Sequence, residues 1–297
     1  MAVVAWRYKH EATKAFLKDS NPSRSLCGFF YFLKQEILRM TKKRLGRFMV
    51  ITLAAFFNMV LVTTAQAAHP LITDDTGTQG KGKFQLEVNG EYGRDKDDGV
   101  VTKTTQLGAI LSYGLSDPVD IVLAVPYLHV RTEAGQAFTD SGISDIALEA
   151  KWRFYEKEGF SLALKPGITL PTGDDDTGLG TGRTTYHLFL IGTQEIKPWA
   201  FHINLGYIRN ENRQNDRRDI WHVSLATAVE AVKDLKIVGN IGIERDTARD
   251  RQETASFLLG GVIYSVSENF DIDAGIKSEL HRFGADFAIL SGITWRF

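Results

Sequence analysis

The histidines that follow residue 68 are the side chains best suited to proton transfer or to activating a serine nucleophile. None lies in a recognisable nucleophile motif, and sequence alone leaves open whether a serine meets one in the folded chain. The competing interpretation, which we favour, is that His187, His202 and His222 make ordinary hydrogen bonds. The candidates are His69, His129, His187, His202, His222 and His281.

Two charged tracts could hold ions. Residues 174–176 are three consecutive aspartates, and calcium prefers several carboxylate ligands. Their spacing lacks the alternation of an EF-hand loop, so we expect a hydrated loop and no metal site. Arg213, Arg217 and Arg218 lie in a second polar tract and could contact phosphates, although a hydrated loop is again favoured.

The amino-acid composition excludes several other kinds of functional site. Cys27 is the only cysteine, so residues 69–297 have no disulfide, thiolate metal site or cysteine nucleophile. The net charge of −1 conceals a basic segment 1–68 and a net acidic remainder. An acidic body argues against nucleic acid as a partner, because phosphate binding needs clustered lysine and arginine.

The basic segment has the organisation of a secretory signal peptide. A positive stretch at residues 42–47 precedes an apolar run, Phe48 to Val62, and then Ala65 and Ala67 in the small-residue pattern of a cleavage site. We expect cleavage after residue 67 or 68. A transmembrane helix is the alternative, but the run is short for a span of about 20 residues. Met40 is the expected start, which makes residues 1–39 an upstream extension and 40–68 the signal peptide.

From residue 83 onward the sequence alternates between apolar and polar residues, which is typical of strands with two different faces. In the run 270–277, for example, Phe270, Ile272 and Ile276 oppose Asp271 and Asp273. About twelve such runs are predicted, at residues 83–93, 101–114, 119–130, 144–156, 159–170, 184–195, 198–209, 219–231, 235–245, 253–266, 269–279 and 285–297.

The connections between these runs alternate in length. Short turns follow the even-numbered runs, and longer polar loops, such as "TEAGQAFTDSGI" (132–143) and "RNENRQNDRRD" (209–219), follow the odd-numbered runs. This pattern predicts an all-β fold, an antiparallel transmembrane β-barrel of about twelve strands formed by residues 69–297, with both termini periplasmic. A soluble β-sandwich is the alternative, although its charged faces would point outward.

Aromatic residues cluster at both predicted strand ends, as expected where an apolar band meets lipid headgroups. The periplasmic ring would contain Phe84, Tyr113, Phe154, Phe160, Trp199, Phe270, Trp295 and Phe297. The opposite ring would contain Tyr92, Tyr127, Tyr207, Trp221, Phe257 and Phe287.

The inward face of the predicted barrel carries charges of both signs. These charges either pair and plug a narrow bore or line a hydrated path and set its selectivity. The sequence leaves both outcomes open. The predicted lumen residues are Glu87, Glu91, Glu149, Lys151, Arg153, Lys165, His202, Asn204, Asn240, Glu244, Asp271, Asp273, Lys277 and Asp286.

Three segments contain recognisable sequence motifs: "GISDIALEAKWRF" (142–154), "LPTGDDDTGLGTGR" (170–183) and "YGLSDPVDIVLAVPY" (113–127). Together they resemble the outer-membrane family named for the meta-pathway of phenol degradation, whose members are assigned as transporters. The resemblance implies passage of small, often aromatic or hydrophobic compounds. It supplies no catalytic residue and no cofactor. Trp295 and Phe297 end the chain in a way that resembles the signal read by the outer-membrane assembly machinery.

The sequence therefore favours an outer-membrane channel or transporter for small molecules over two alternatives. One is a structural or interaction barrel with a sealed lumen, and the other is a lipid-acting enzyme with a serine–histidine site at the lipid boundary. Membrane lipid, lipopolysaccharide and the assembly machinery of a Gram-negative envelope are the expected partners. The substrate is not specified.

Overall fold

The computed structural model describes residues 69–97, 100–134, 136–247, 249, 254–280 and 287–297. The predicted signal peptide, the upstream segment 1–39 and Asp286 lie outside the described residues. No helix within the described ranges is long and apolar enough to cross a membrane.

The described residues form thirteen antiparallel β-strands. They are β1 (Phe84–Asp97), β2 (Val100–Ser116), β3 (Val119–Ala134), β4 (Gln136–Ile143), β5 (Ile146–Lys157), β6 (Phe160–Leu170), β7 (Thr185–Ile196), β8 (Trp199–Arg209), β9 (Asp219–Val232), β10 (Leu235–Arg245), β11 (Thr254–Ser267), β12 (Phe270–Glu279) and β13 (Phe287–Arg296).

The strands close into a barrel. Consecutive strands pair with each other except β4 and β5, which both pair with β3, and β1 also pairs with β13. Since β4 and β5 follow one another along the same flank of β3, the wall is twelve strands wide. The prediction of about twelve strands is confirmed. Closure matters physically because a sheet in lipid has no water to satisfy a free edge.

The loop predicted at residues 132–143 is wrong for most of its length. There β3 and β4 form a hairpin, with Tyr127 opposite Ile143 and Ala134 opposite Gln136. Main-chain pairing continues here although the side chains are largely polar. A two-residue hydropathy period reports where a strand has one apolar face, so it ends before this strand does.

Strand β8 shows how the wall is built. Trp199, Phe201 and Ile203 are 44, 45 and 40% exposed, whereas His202 and Asn204 on the other face are 2 and 3% exposed. Apolar side chains outside and buried polar side chains inside are the reverse of a soluble β-sandwich. The outer face therefore suits a hydrocarbon environment.

Phe257 departs from the predicted aromatic rings. It lies on the inward face of β11, 8% exposed, and clusters with Leu259, Ala288 and Leu290. This inward apolar patch exists because it packs against Leu71 and Ile72 of the segment before β1. The outward aromatics of the opposite end, such as Tyr207 and Trp221, are 49 and 37% exposed.

Candidate functional site

All residues predicted for the lumen except Asp286 are described, and the buried polar residues include His202, Asn204, Asn240, Asp271 and Lys277. Several pair across neighbouring or distant strands. The Nζ atom of Lys277 on β12 lies 2.5 Å from Oε1 of Glu91 on β1, and Arg296 Nη2 lies 2.8 Å from Asp271 Oδ2.

The other predicted residues also have identifiable surroundings. Arg153 Nε lies 3.2 Å from Glu156 Oε2, and Glu87 Oε1 accepts a hydrogen bond from Gln85. Each contact lies within a single strand, β5 and β1 respectively, near the end of the barrel that carries the short turns. Residues deeper in the lumen interact instead with a separate segment of the chain.

Residues 69–79, which we call the lumen strap, run along the inner face of the barrel from β12 to the start of β3. His69 Nδ1 lies 2.5 Å from Asp273 Oδ1, and the main-chain N–H groups of Ile72 and Thr73 donate to Asn240 Oδ1 at 2.7 and 3.0 Å. Further along, Thr76 meets Thr193 and Ser161, and Gln79 N donates to Asp120. The strap therefore lies along the inner face of the wall from β12 to β3.

Pro70, near the start of the strap, packs against two glycines of the wall. A β-carbon at Gly261 would lie 2.7 Å from Pro70 Cγ, and one at Gly275 would lie 2.9 Å from Pro70 Cβ. Only glycine leaves room for such an approach of strap to sheet. Leu71 follows and packs against Ala228, Val238 and Ile263 on the inward face.

Asp74 is the electrostatic centre of the strap. Lys151 Nζ lies 2.8 Å from its Oδ1, and Lys165 Nζ lies 3.1 Å from its Oδ2. The side-chain amide of Asn204, oriented to satisfy its partners, pairs with the main-chain N–H and carbonyl of Asp74 at 2.8 and 2.9 Å. The residue is thus held through both its side chain and its main chain.

Burial alone would raise the pKa of Asp74, but the ammonium groups of Lys151 and Lys165 outweigh it and hold that pKa well below its ordinary value. For Asp75 burial dominates and raises the pKa to about 7, because Lys151 is farther away, at 3.9 Å, and Asp74 repels a second negative charge. Consecutive aspartates therefore have opposite shifts.

Above the strap, toward the long loops, Glu149 links a lysine to a histidine. Lys165 Nζ lies 2.9 Å from Glu149 Oε2, and His187 Nε2 lies 2.9 Å from Oε1. The His187 ring contacts Phe189 edge-on at 5.8 Å between centroids, and Phe189 in turn contacts His222 at 5.7 Å. These side chains form an aromatic surface beside the charged cluster.

His222 also lies between a serine and a carboxylate. Its Nε2 is 3.0 Å from Ser224 Oγ, and its Nδ1 is 3.0 Å from Glu244 Oε2. This order is that of a hydrolytic triad. His222 and Ser224 are two residues apart on β9, and sequence analysis missed the arrangement because Glu244 on β10 joins them only through strand pairing. Ser224 is 1% exposed on the inward face, so a substrate carbonyl has no access to its oxygen.

The other histidine that the sequence assigned to the lumen, His202, lies within 3.0 Å of Thr193 through Nδ1. Together with the contacts of His187 and His222, this describes ordinary hydrogen bonds and ion pairs. Among the described residues no group of three or more His, Cys, Asp and Glu side chains is arranged to hold a metal ion.

The long loops are cross-linked through polar contacts. Asp145, between β4 and β5, accepts from Gly173 N at 3.0 Å and from Thr181 N and Oγ1 at 2.7 and 2.6 Å. Arg213 reaches Asp175 at 3.2 Å, which joins the aspartate run to the arginine tract. Arg218 lies 3.5 Å from Glu211. These charges are thus engaged with one another.

The strap itself was not anticipated from the sequence. The signal that could have found it is its position: residues 69–79 stand between the predicted cleavage site and the first strand, lack alternation, and contain Asp74 and Asp75 in an otherwise nearly uncharged stretch. A short segment that precedes the first strand of a barrel has either the lumen or the solvent available to it, and this one has residues suited to a charged lumen.

Comparison with known proteins places this geometry in context. Residues 67–297 match the family described as "Putative MetA-pathway of phenol degradation". No curated protein matches the chain.

Solved structures of similar fold include the NanC porin, with a TM-score of 0.51, 13% identity, and coverage of 71% of this chain and 98% of that chain. They include the KdgM porin, with a TM-score of 0.50, 10% identity, and coverage of 72 and 99%. They also include the β domain of the Bordetella autotransporter BrkA, with a TM-score of 0.50, 12% identity, and coverage of 73 and 100%. At these identities the similarity shows the barrel fold alone.

Proposed function

The chain belongs to the phenol-degradation family matched over residues 67–297, and from that premise we propose that it is an outer-membrane channel for small molecules. In this proposal the signal peptide is cleaved before the strap, the short-turn end and both termini are periplasmic, and the long loops face lipopolysaccharide. The assembly machinery recognises the end of β13 through Trp295 and Phe297. The barrel has no cofactor and no enzymatic activity.

The observation that carries the proposal is the relation between the wall and the strap. The wall is closed by pairing of β1 with β13, and the strap contributes no strand to it. Leaving the lumen would therefore break side-chain contacts, such as those of Asp74, but no hydrogen bond between wall strands. A polar lumen that holds a separable segment is suited to a channel that opens and closes.

The predicted lumen residues have roles in this proposal. Lys151, Lys165, Asn204, Asn240 and Asp273 bind the strap, and the remaining polar and charged residues set the selectivity of the path beside it. Those remaining residues are Glu87, Glu91, Glu149, Arg153, His202, Glu244, Asp271, Lys277 and Asp286.

A sealed structural barrel is the second candidate, and a specific observation favours it. The strap is held at both ends, by Asp273 near residue 69 and by Asp120 near residue 79, and lumen charges such as Lys277 and Glu91 are paired. A barrel that never opened would have the same contacts. The lipid-acting enzyme is disfavoured because the enclosed Ser224 faces the lumen rather than the lipid.

Planar-bilayer recording distinguishes the two candidates. The folded protein, identified by heat-modifiable gel mobility, should give unitary current steps, and their frequency should rise in Asp273→Asn, which removes the carboxylate beside His69. The matched control is Asp176→Asn in the exposed aspartate run. A folded barrel that passes no current, with or without the strap anchor, contradicts the channel and supports the sealed barrel.

A further inference from the structure

The geometry points to a ligand site in the lumen. We propose that Lys151 and Lys165 bind the carboxylate of a small aromatic acid, and that Asp74 of the strap occupies this site in the structure as an internal substitute. The proposal deepens the channel function, on which its consequence for transport rests, by naming the chemical class that the lumen selects.

The first support is the geometry of the ion pairs. Each oxygen of the Asp74 carboxylate has its own ammonium group, Lys151 on Oδ1 and Lys165 on Oδ2. Asn204 holds the main chain of Asp74 separately. The lysine contacts therefore depend on the carboxylate rather than on the strap, and a free carboxylate can adopt the same arrangement.

The second support is the charge that remains when the strap leaves. Lys165 keeps Glu149 at 2.9 Å, whereas Lys151 loses Asp74 at 2.8 Å and Asp75 at 3.9 Å. The side chain of Lys151 is 11% exposed even with the strap bound. A largely buried ammonium group that has lost two of its neighbouring carboxylates attracts an anion.

Asp120 is the acid that opposes this site. It is the cross-strand partner of Lys151 on β3, and its carboxylate accepts a hydrogen bond from Gln79 in the docked strap. When the strap is out, Asp120 remains near Lys151 and Glu149 remains near Lys165. The negative charges of Asp74 and Asp75 are then absent from the site. The site therefore favours a ligand with one carboxylate over a polyanion.

The third support is the aromatic surface beside the lysines, which distinguishes an aromatic acid from an inorganic anion. Phe189 on β7 is the cross-strand partner of Lys165. Its ring lies directly over Gly206, where a β-carbon would collide with it, and meets His187 and His222 edge-on. Opposite residues in a sheet have their β-carbons about 5 Å apart, so one small ligand can contact both side chains.

The order along the lumen connects binding with opening. His187 lies on the side of the long loops, Lys165 and its partner Phe189 lie midway along their strands, and Ser161, which contacts Thr76 of the strap, lies near the short turns. An aromatic acid that enters from the long-loop end reaches the aromatic surface and the lysines before the rest of the strap. Binding there displaces Asp74, and by linkage an undocked strap strengthens binding.

The test measures binding of benzoate, with its neutral isostere benzamide as the comparison, to the folded full-length mature barrel in detergent at fixed ionic strength. An attached competitor such as Asp74 acts at an effective concentration of millimolar or more, so Asp74→Asn should tighten benzoate binding by about tenfold or more. Benzamide binding should be unchanged. Adding Lys151→Met to Asp74→Asn should abolish the gain.

Two further variants keep the test informative. Lys165→Met in the Asp74→Asn background should also abolish the gain, which covers the case in which Lys151→Met fails to fold by gel mobility. Lys103→Met is the matched control, because Lys103 pairs with Glu133 on the outer face of the hairpin, away from the strap. It should leave the gain intact. Equal binding of benzoate and benzamide, or a gain that survives loss of both lysines, overturns the proposal.

Recording in planar bilayers separates this proposal from the channel function. If Asp74→Asn conducts potassium chloride but shows no preference for benzoate, the carboxylate site is refuted and the channel stands. If benzoate binds as expected but no variant conducts, the channel is refuted and the site stands.

Discussion

The contacts of Asp74 allow one prediction to be made quantitatively. Asp74→Asn keeps the size of the side chain and the main-chain pairing with Asn204 but removes the charge that Lys151 and Lys165 share. Removing one partner of a buried ion pair costs about 3–5 kcal/mol. Lys151 and Lys165 are 11 and 19% exposed, and Lys165 retains Glu149, so we reduce the expected cost to about 2 kcal/mol.

This cost falls on the docked strap, because Lys151 and Lys165 become hydrated when the strap is out. About 2 kcal/mol corresponds to about a 30-fold shift of the docking equilibrium, at about 1.4 kcal/mol per factor of ten. The open probability of single barrels in planar bilayers should rise by that factor as long as the open probability itself stays well below one. The conductance of one open barrel should change little, since the wall is unaltered.

Asp176→Asn is the matched control because Asp176 lies in an exposed long loop and should leave the open probability unchanged. An increase of less than about threefold in Asp74→Asn, in barrels shown to be folded, would mean that the Asp74 ion pairs do not hold the strap in the lumen.

Three more predictions follow from other contacts. Burial in the docked strap, beside Asp74, Lys151 and Lys236, raises the pKa of Asp75 to about 7. The docked strap is therefore favoured in acid, and its docking equilibrium constant falls by at most tenfold per pH unit as the pH rises toward 7. Open probability should therefore be higher at pH 7.5 than at pH 5, and Asp75→Asn should weaken this dependence. An unchanged or steeper dependence in the variant would contradict the prediction. Gly275→Ala places a β-carbon 2.9 Å from Pro70 and should raise open probability, with Gly260→Ala, which has open space, as its control. Deleting Phe297, which exchanges main-chain hydrogen bonds with Phe84, should lower the yield of assembled barrel in membranes without changing conductance per barrel, and a normal yield would refute its role in assembly.

The wall was predictable from sequence because each strand residue reports one of two environments. On β8, the alternation of Phe201 and Ile203 with His202 and Asn204 gives both the strand and its facing. Where that contrast weakens, prediction weakens too. The polar hairpin of β4 was taken for a loop, and Phe257 was placed on the outer face although it is buried inside.

The strap and the pairings inside the lumen could not be obtained in this way. Glu91 and Lys277 are 186 residues apart, and Asp74 meets Lys165 across 91 residues. Barrel closure determines which inward residues face one another, and a hydropathy period carries no information about contacts across the bore. The strap also lacks any period of its own, since its shape follows the wall on which it packs.

The central claim is that the strap controls passage through the barrel, and a reversible cross-link tests it most directly. Thr76 Oγ1 and Ser161 Oγ are 2.5 Å apart, near the length of a disulfide bond of about 2 Å, and residues 69–297 contain no cysteine. In Thr76→Cys with Ser161→Cys, oxidised barrels should conduct rarely, and adding a reductant to the same bilayer should restore the open probability of the reduced protein. Equal open probability before and after reduction, with the cross-link verified by mass, would contradict the account.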